Sequence, residues 1–149
     1  MSLEGTTALV SDRYLITAVV DTGATVTAGQ VVYISAAGFI PAVKPTDGAR
    51  KDVIGVALTG GAAAKKITVI CRGLVRVTAS GAISMGARIS SSTAGKVAAV
   101  AVMAAPGSDT YTTAAMQAQL DKTEQWIGRA LTAATNDGDV IYALLSCIP

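Results

Sequence analysis

Apolar and polar positions along this chain follow the two-residue period of β-strands over most of its length. Residues 67–72 (ITVICR) alternate apolar and polar side chains, and residues 14–20 (YLITAVV) are rich in β-branched ones. The same criteria predict further strands at residues 31–34, 39–43, 53–58, 74–77, 87–90, 96–102, 127–131 and 140–146. Short strands separated by turn residues at this spacing are typical of a β-sandwich or a β-barrel.

One segment departs from the strand pattern. Residues 113–125 (TAAMQAQLDKTEQ) consist mainly of strong helix formers and contain neither Gly nor Pro. Met116 and Leu120 stand four residues apart, which places them on one helical face. We therefore expect a single short helix here.

The strand pattern occurs twice. Residues 26–43 read VTAGQVVYISAAGFIPAV, and residues 83–100 read ISMGARISSSTAGKVAAV. Gly29 and Gly86 open the two segments, and in each a second Gly follows nine residues later. The similarity predicts two related β units.

Each copy is followed by a second shared phrase. Residues 52–70 read DVIGVALTGGAAAKKITVI, and residues 126–145 read WIGRALTAATNDGDVIYALL. Placing Gly55 on Gly128 matches four further pairs, which are Ala57 with Ala130, Leu58 with Leu131, Thr59 with Thr132, and Ile67 with Val140. The first phrase is offset by 57 residues and the second by 73, so the second copy carries a 16-residue insertion, which contains the predicted helix.

These patterns predict a mainly β fold, a compact β-barrel or sandwich built from two related β units. Residues 1–25 are expected to form an N-terminal arm and the first strand, because residues 2–12 are polar and lack a core pattern. Residues 26–149 are expected to form the body, with the repeat at 26–71 and 83–146.

The composition is poor in charge. Charged residues make up 15% of the chain, against about 25% in typical globular domains, and the net charge is +2. Either the protein is a compact sheet structure with small neutral side chains, or partners cover part of its surface, since interface cores are depleted in charge. No apolar run is long enough to predict a membrane-spanning helix, and the first residues lack the pattern of a secretory signal.

The sequence lacks the residues that several common catalytic and metal-binding sites require. The chain contains no histidine, which removes the commonest general base and transition-metal ligand. Its ten carboxylates are scattered, and Asp137 and Asp139 fit a turn better than a calcium loop. We therefore predict no catalytic residue, no metal site and no bound cofactor.

Two further segments, one rich in glycine and one rich in hydroxyl groups, do not match a phosphate-binding or a catalytic site. Gly60-Gly61 followed by Lys65-Lys66 is not a phosphate-binding loop, because a strand rather than a helix is predicted to follow. Residues 90–93 (SSST) have no candidate base nearby in sequence, so they are interpreted as a loop.

Five other side chains are assigned structural positions. Cys71 and Cys147 are expected to be reduced thiols on strands, although a disulfide between them stays open. Arg72 and Arg76 flank Leu74 and are expected on an outer strand face or at a partner contact, being too few for a nucleic-acid footprint. The indole of Trp126 is expected in the core, with an interface as the alternative.

The assembled phrases resemble a known family. In order they are AGQVVYISAAG, DVIGVALTGGAAAKKITVICRGLVRV, GAISMGARISSSTAGKVAAV and IGRALTAATNDGDVIYALL. Over residues 26–145 the chain resembles the capsid cement, or head decoration, proteins of tailed bacteriophages, of the small β-rich type. It departs from that pattern at Lys65-Lys66 and at Met85-Gly86-Ala87, where the family carries acidic residues.

The resemblance implies a structural virion protein rather than an enzyme. Such a protein would bind the outer surface of an assembled capsid and stabilise it by bridging neighbouring major capsid subunits. It implies a homo-oligomer, with a trimer favoured, no nucleic-acid or membrane partner, and assembly in the host cytoplasm. The alternative is a tail, spike or fibre subunit of a phage particle. A lipoyl-type carrier domain is disfavoured, because Lys65-Lys66 and Lys96 lack the hairpin setting of a modified lysine.

The predicted arm supplies the candidate contact residues. An extended segment over residues 3–14 can add a strand to an exposed sheet edge on the shell. The residues proposed for this capsid contact are Leu3, Leu9, Val10, Arg13 and Tyr14.

Overall fold

The computed structural model describes residues 13–100 and 112–146, which form eleven strands, one α-helix and one 3-10 turn at Thr93–Gly95. The strands are β1 Tyr14–Val20, β2 Thr25–Val26, β3 Val31–Ala36, β4 Ala42–Pro45, β5 Val53–Ala57, β6 Gly61–Ala62, β7 Lys66–Ser80, β8 Arg88–Ser91, β9 Val97–Ala99, β10 Trp126–Ala130 and β11 Asp137–Ser146. The helix α1 spans Thr113–Glu124. The mainly β fold class and the position of the short helix are thus confirmed.

Several predicted strands differ in extent, two of them substantially. The strand expected at residues 39–43 begins at Ala42, so Phe39 lies in the loop after β3 with its side chain fully exposed. The strands predicted on either side of Gly73 form one strand, β7, which runs through this residue without interruption. Gly73 has φ +125°, a conformation that side chains rarely adopt, and the register between β1 and β7 shifts nearby, between Arg72 and Ile70. The irregularity expected at this point is therefore present, although the strand continues through it.

Strand β7 has different antiparallel partners along its two halves. Its first half pairs with β1, from Lys66 opposite Val19 to Arg72 opposite Tyr14. Its second half pairs with β11, which extends from Arg72 to Ser80. The two pairings lie on opposite edges of β7 and overlap at Arg72, which lies opposite both Tyr14 and Ser146.

The remaining pairings close two rings of five strands that share β7. The first ring runs β1, β4, β3, β5, β7 and back to β1. The second ring runs β7, β9, β8, β10, β11 and back to β7. In each ring one pairing is parallel, β1 with β4 and β7 with β9. A closed ring leaves few unpaired backbone edges, which are the usual route to unspecific strand addition.

Each ring has its own apolar cluster. The cluster of the first ring consists of Ala18, Val20, Val26, Val32, Val43, Ala57, Ile67, Val69 and Cys71. The second cluster contains residues of the second ring such as Val77, Ile89 and Ile141, together with Val31 and Ile70 from strands of the first. The second cluster therefore packs the two rings against each other.

The two rings make the same backbone hydrogen bonds at residues that the sequence repeat matches. The N–H of Gly29 donates to the carbonyl of Ala57 over 2.7 Å, and the N–H of Gly86 donates to that of Ala130 over 2.8 Å. Both glycines have positive φ, +89° and +80°. The matched glycines thus make matched turns.

Hydrogen bonds to residues of β7 and β11 require a change in one part of the sequence alignment. The hydroxyl of Thr59 accepts the N–H of Thr68, and the hydroxyl of Thr132 accepts that of Tyr142, both over 3.0 Å. Thr68 therefore corresponds to Tyr142, which is an offset of 74 instead of 73.

The alignment of Ile67 with Val140 is consequently wrong by one residue. Ile67 is buried and corresponds to Ile141, which is also buried, whereas Val140 is 53% exposed. The discrepancy arises because the register between β11 and β7 shifts between Asp137 and Val140, which adds a residue that the pattern of apolar letters does not reveal. The proposed division of the chain at residue 25, and of the body into 26–71 and 83–146, stays a prediction.

Cys71 is a buried, free cysteine in the core of the first ring. Burial raises the pKa of its thiol to about 11, which keeps it protonated and unreactive at neutral pH. Cys147 lies outside the described residues, so a pairing between the two stays untested.

The helix α1 stands on the surface of the rings and has no buried residue. Its N-terminus is capped by the hydroxyl of Thr112, which accepts the N–H of Ala115 over 3.2 Å. Lys51 holds its last turn through ion pairs to Asp121 at 2.6 Å and Glu124 at 2.7 Å. The helix inserted in the second copy is thus held to the rings by ion pairs rather than by packing of apolar side chains.

Two matched glycines set the distance between neighbouring strands. A Cβ atom at Gly55 would lie 2.1 Å from the carbonyl oxygen of Ile70 on β7. A Cβ atom at Gly128 would lie 2.3 Å from the carbonyl oxygen of Leu144 on β11. Real Cβ atoms do not approach this closely, so only glycine permits these strand contacts.

We expect Gly55→Ala and Gly128→Ala each to lower the free energy of unfolding by about 1–3 kcal/mol, because the added methyl group forces the strands apart. Urea unfolding followed by circular dichroism measures the effect. Gly48→Ala is the matched control, since its Cβ would meet nothing within 4 Å, and it should change stability by less than about 0.5 kcal/mol. Equal stability of all three variants would contradict the close approach.

Candidate interaction surface

The sheet formed by β7 and β11 carries large apolar side chains on its outer face. Leu74 lies directly opposite Leu144, and Arg76 lies opposite Tyr142. Opposed residues of an antiparallel pair point to the same face, and Leu74, Leu144 and Tyr142 are each about half exposed. The strands fold this way because residues 75, 77, 141, 143 and 145 between them are apolar and point into the core.

Strand β10 continues this face. Arg129 lies opposite Leu144, and the N–H of Leu131 donates to the carbonyl of Tyr142 over 2.8 Å. The guanidinium of Arg129 donates to the carbonyl of Gly86 over 3.1 Å, which fixes its position.

Six neighbouring outer side chains of these three strands form what we call the arginine–leucine face. They are Arg72, Leu74, Arg76, Arg129, Tyr142 and Leu144.

Trp126 lies at the border of this face, so the expectation that its indole is buried in the core is wrong. Its side chain is 38% exposed, and the inward position at the start of β10 belongs to Ile127. The register between β10 and β8 shifts between Trp126 and Gly128, which turns the indole outward. Its ring N–H donates to the carbonyl of Gly128, and the guanidinium of Arg88 lies 5.3 Å from the ring centroid.

Two shallow hollows flank the ridge that Leu74 and Leu144 form. Residues that line the first hollow include Arg72, Gly73, Trp126, Arg129, Leu144 and Ser146. Residues that line the second include Gly29, Leu58, Leu74, Arg76, Thr78 and Val140. Each hollow therefore combines at least one arginine with apolar side chains.

The arginines on and around this face have no acidic partner among residues 13–100 and 112–146. Five of the six described arginines are outside every ion pair of that region, namely Arg13, Arg72, Arg76, Arg88 and Arg129. The sixth, Arg50, binds Asp47 at 3.0 Å and Asp52 at 2.8 Å. The positive charge of the face is thus not neutralised by the described part of the chain.

The described carboxylates are all engaged elsewhere. Six of the seven form ion pairs with lysines or with Arg50, and they are Asp21, Asp47, Asp52, Asp121, Glu124 and Asp137. The seventh, Asp139, accepts the backbone N–H groups of Thr135 and Asn136, both over 2.8 Å. The N–H groups of Asn136 and Thr135 lower the pKa of the Asp139 carboxyl, so it is ionised at neutral pH.

This turn settles the interpretation of Asp137 and Asp139. Asp139 caps the turn, Gly138 has φ +91°, and the side chain of Asp137 binds Lys96 at 2.8 Å. The pair is a turn, as its sequence predicts. In the described part of the chain no group of three or more Asp, Glu or Cys side chains is placed to hold a metal ion. Nor does any helix there have the length and apolar character needed to cross a membrane.

The structure places two of the five predicted contact residues. Arg13 is exposed and lies against Gly73, where a Cβ atom would come within 3.3 Å of its Cγ. Tyr14 is exposed and pairs with Arg72. Both therefore lie at the end of the arginine–leucine face, whereas Leu3, Leu9 and Val10 are outside the described residues.

None of the six residues of the face was among the five predicted contact residues, although Arg72 and Arg76 were expected on an outer strand face or at a partner contact. The signal for it is the alternation Arg72, Leu74, Arg76 on β7, which predicts outward side chains and is confirmed by their exposure. The contribution of β11 and β10 depends on strand pairing, which the linear pattern does not specify.

Comparison with known proteins assigns the family. A profile of the family described as phage cement protein matches residues 10–145 of the 149 in the sequence. The chain belongs to the phage cement protein family. The resemblance seen in the sequence is thereby confirmed, and the protein is a structural component of a phage capsid that binds capsid proteins.

A solved structure shares the fold of this cement-family chain. It is the N base of the head fibre gp8.5 of bacteriophage phi29, with a TM-score of 0.61 and 12% sequence identity. The match covers 90% of this chain and 96% of that one. At this identity the likeness concerns the fold alone. No curated protein sequence matches the chain.

Leu144 and Leu145 are adjacent on β11, but Leu144 lies on the arginine–leucine face and Leu145 lies in the core. We therefore expect their truncation to lower the free energy of unfolding by different amounts. Leu145 is 1% exposed, so Leu145→Ala should cost about 2–5 kcal/mol of unfolding free energy through lost burial and a cavity. Leu144 is 50% exposed, so Leu144→Ala should cost less than about 1 kcal/mol. Chemical unfolding of the two variants beside the parent protein measures both values, and a comparable loss at Leu144 would show that it belongs to the core.

Proposed function

We propose that this protein binds the outer surface of an assembled phage capsid and stabilises it by bridging neighbouring major capsid subunits. The observation that carries the proposal is the family match over nearly the whole chain, on a body whose outer face presents half-exposed leucines and arginines. The role is structural and not enzymatic. It agrees with a sequence that has no histidine and with described carboxylates that are all held in ion pairs or in a turn.

The architecture suits a clamp on a lattice. Two closed rings that share β7 form a stiff body, and its exposed side chains do not have to rearrange to make a contact. A body that touches two neighbouring subunits links them, and many identical contacts over the shell act together even if each is weak. We take the two rings as the two repeated units of the sequence and propose a homotrimer as the assembled form.

The arm is proposed as the second contact. Residues 2–13 precede β1, whose first residue, Tyr14, pairs with Arg72 beside the arginine–leucine face. An extended segment that starts here would reach the shell together with the face and add a strand to a sheet edge there. The protein is proposed to sit on the outside of the virion, without a nucleic-acid or membrane partner, after assembly in the host cytoplasm.

A fibre subunit is the second candidate. The fold likeness to the base of a phage head fibre, at a TM-score of 0.61, favours a role as the attachment base of a projecting structure. Such a base would also bind the head, so the two candidates differ in whether the protein occupies repeated positions over the shell or isolated ones.

We expect purified protein mixed with undecorated capsids to give ordered density at repeated positions between capsomers in electron cryomicroscopy. The decorated capsids should also resist heating or low salt better than bare ones, because each bound copy links several subunits. Density restricted to isolated sites would favour the fibre base, and absence of binding would contradict both candidates.

We expect deletion of residues 2–13 to abolish capsid binding while leaving the body folded. The deletion removes the proposed arm but retains Tyr14, so all of β1 and its pairing with β7 remain. Co-sedimentation with capsids measures occupancy, and a thermal melt that matches the full chain shows that the body is intact. Unchanged occupancy of the truncated protein would eliminate the arm as a contact.

A further inference from the structure

We infer that the arginine–leucine face docks onto an acidic protein surface of the capsid shell, whose carboxylates enter the two hollows beside the Leu74–Leu144 ridge. This inference rests on the proposed capsid binding and adds the surface used and the chemistry of its partner.

The composition is that of a binding surface. Arginine and tyrosine are the residues most often found at the energetic centre of protein interfaces, together with tryptophan, which lies here at the border as Trp126. Leu74 and Leu144 stand between the arginines and are half exposed, although the core beneath them is complete. Removing these leucines from water would favour association without changing the fold.

The charge of the face selects an acidic partner. Lys44, Lys51, Lys96 and Arg50 form ion pairs within the described chain, whereas Arg72 and Arg76 form none there, as is also true of lysines 65, 66 and 122 elsewhere. On the face these unpaired charges stand beside exposed leucines. Covering an unpaired guanidinium with an apolar or basic surface would cost its hydration with no compensating bond. A partner that supplies carboxylates offsets this cost and forms charge-assisted hydrogen bonds.

The first hollow has the geometry for such a group. Arg72 comes from β7 and Arg129 from β10, and both line the hollow with the wall of Leu144 between those strands. Two guanidinium groups around one depression provide donors in planar arrays that match a carboxylate. In the second hollow Arg76 stands beside Leu58 and Val140, so a carboxylate on an apolar stem fits it.

A second copy of this chain is a poor occupant. The described carboxylates are all engaged in ion pairs or in the turn at Asp139, so another copy offers the face no free acidic group from residues 13–100 and 112–146. Symmetric contact through the face itself would bring arginines against arginines.

A nucleic acid is also disfavoured. Phosphate backbones are bound by extended basic surfaces, and this chain has a net charge of only +2. The apolar ridge in the middle of the face would meet a highly hydrated phosphate surface. An acidic protein surface with apolar residues satisfies both components.

The test compares two double charge reversals that change the net charge equally. Arg72→Glu with Arg76→Glu alters the face, while Lys65→Glu with Lys66→Glu alters exposed lysines before and at the start of β7, outside the face. We expect the face variant to bind undecorated capsids about tenfold or more weakly in co-sedimentation, and the lysine variant to stay within about threefold of the parent.

Two further measurements test the acidity of the partner. Raising the salt from about 50 to about 300 mM should weaken the parent protein more than the variant Arg72→Gln with Arg76→Gln, because screening acts on charge pairs that this variant lacks. Amidation of the surface carboxylates of the capsids should reduce binding of the parent. Thermal melts of every variant show that folding is retained, as expected for exposed side chains.

The outcomes separate the inference from the proposed function. If the parent protein does not bind capsids, the proposed function fails and this inference fails with it. If the parent binds and the face variant binds equally well, only the inference is overturned. It is also overturned if a DNA duplex displaces the protein from capsids, or if the face variants lose self-association instead of capsid binding.

Discussion

The pairing of β7 with two different partners is the constraint on which the rest of the structure depends. Its first half closes one ring against β1, and its second half closes the other against β11. Because the strand is continuous through Gly73, the two rings cannot be placed independently of each other. The positions of β10 and β8 follow from β11, since each strand is fixed by the hydrogen bonds of the one before it. A fault in β7 would therefore disturb both cores.

This arrangement explains why repeated glycines are spread through the chain. A small ring with five strands leaves little space between neighbours, and at Gly55 and Gly128 the backbones approach so closely that no side chain fits. The turns at Gly29 and Gly86 require positive φ and close equivalent hydrogen bonds. The glycines therefore serve ring closure, which is why they repeat with the strands and mark no active site.

The sequence predicts local structure well and the binding face only in part. Strand β1, the alternation on β7, the helix and the turn at Gly138 depend on neighbouring residues, so period and turn chemistry are sufficient to find them. The one-residue shift of β11 and the outward rotation of Trp126 arise from register shifts against other strands, which no local pattern encodes. Arg129 and Leu144 meet only through the pairing of β10 with β11. The candidate face could therefore be recognised on β7 alone, and its other half required the fold.

Ring closure also determines where a contact surface can lie. Strand addition requires an unpaired edge, and within each ring every strand has two neighbours, although β1 meets β4 only at Val19 and Val20 and β7 meets β9 only at Ala79. Outward side chains therefore offer a partner more surface than free strand edges do. On β7 and β11 those side chains alternate with core residues, so their identity is free of packing demands. A polar residue would cost little there, yet Leu74, Tyr142 and Leu144 present apolar groups and are half exposed. No described carboxylate neutralises Arg72 or Arg76, and the contact proposed for this face would account for these arginines and for the exposed apolar groups beside them.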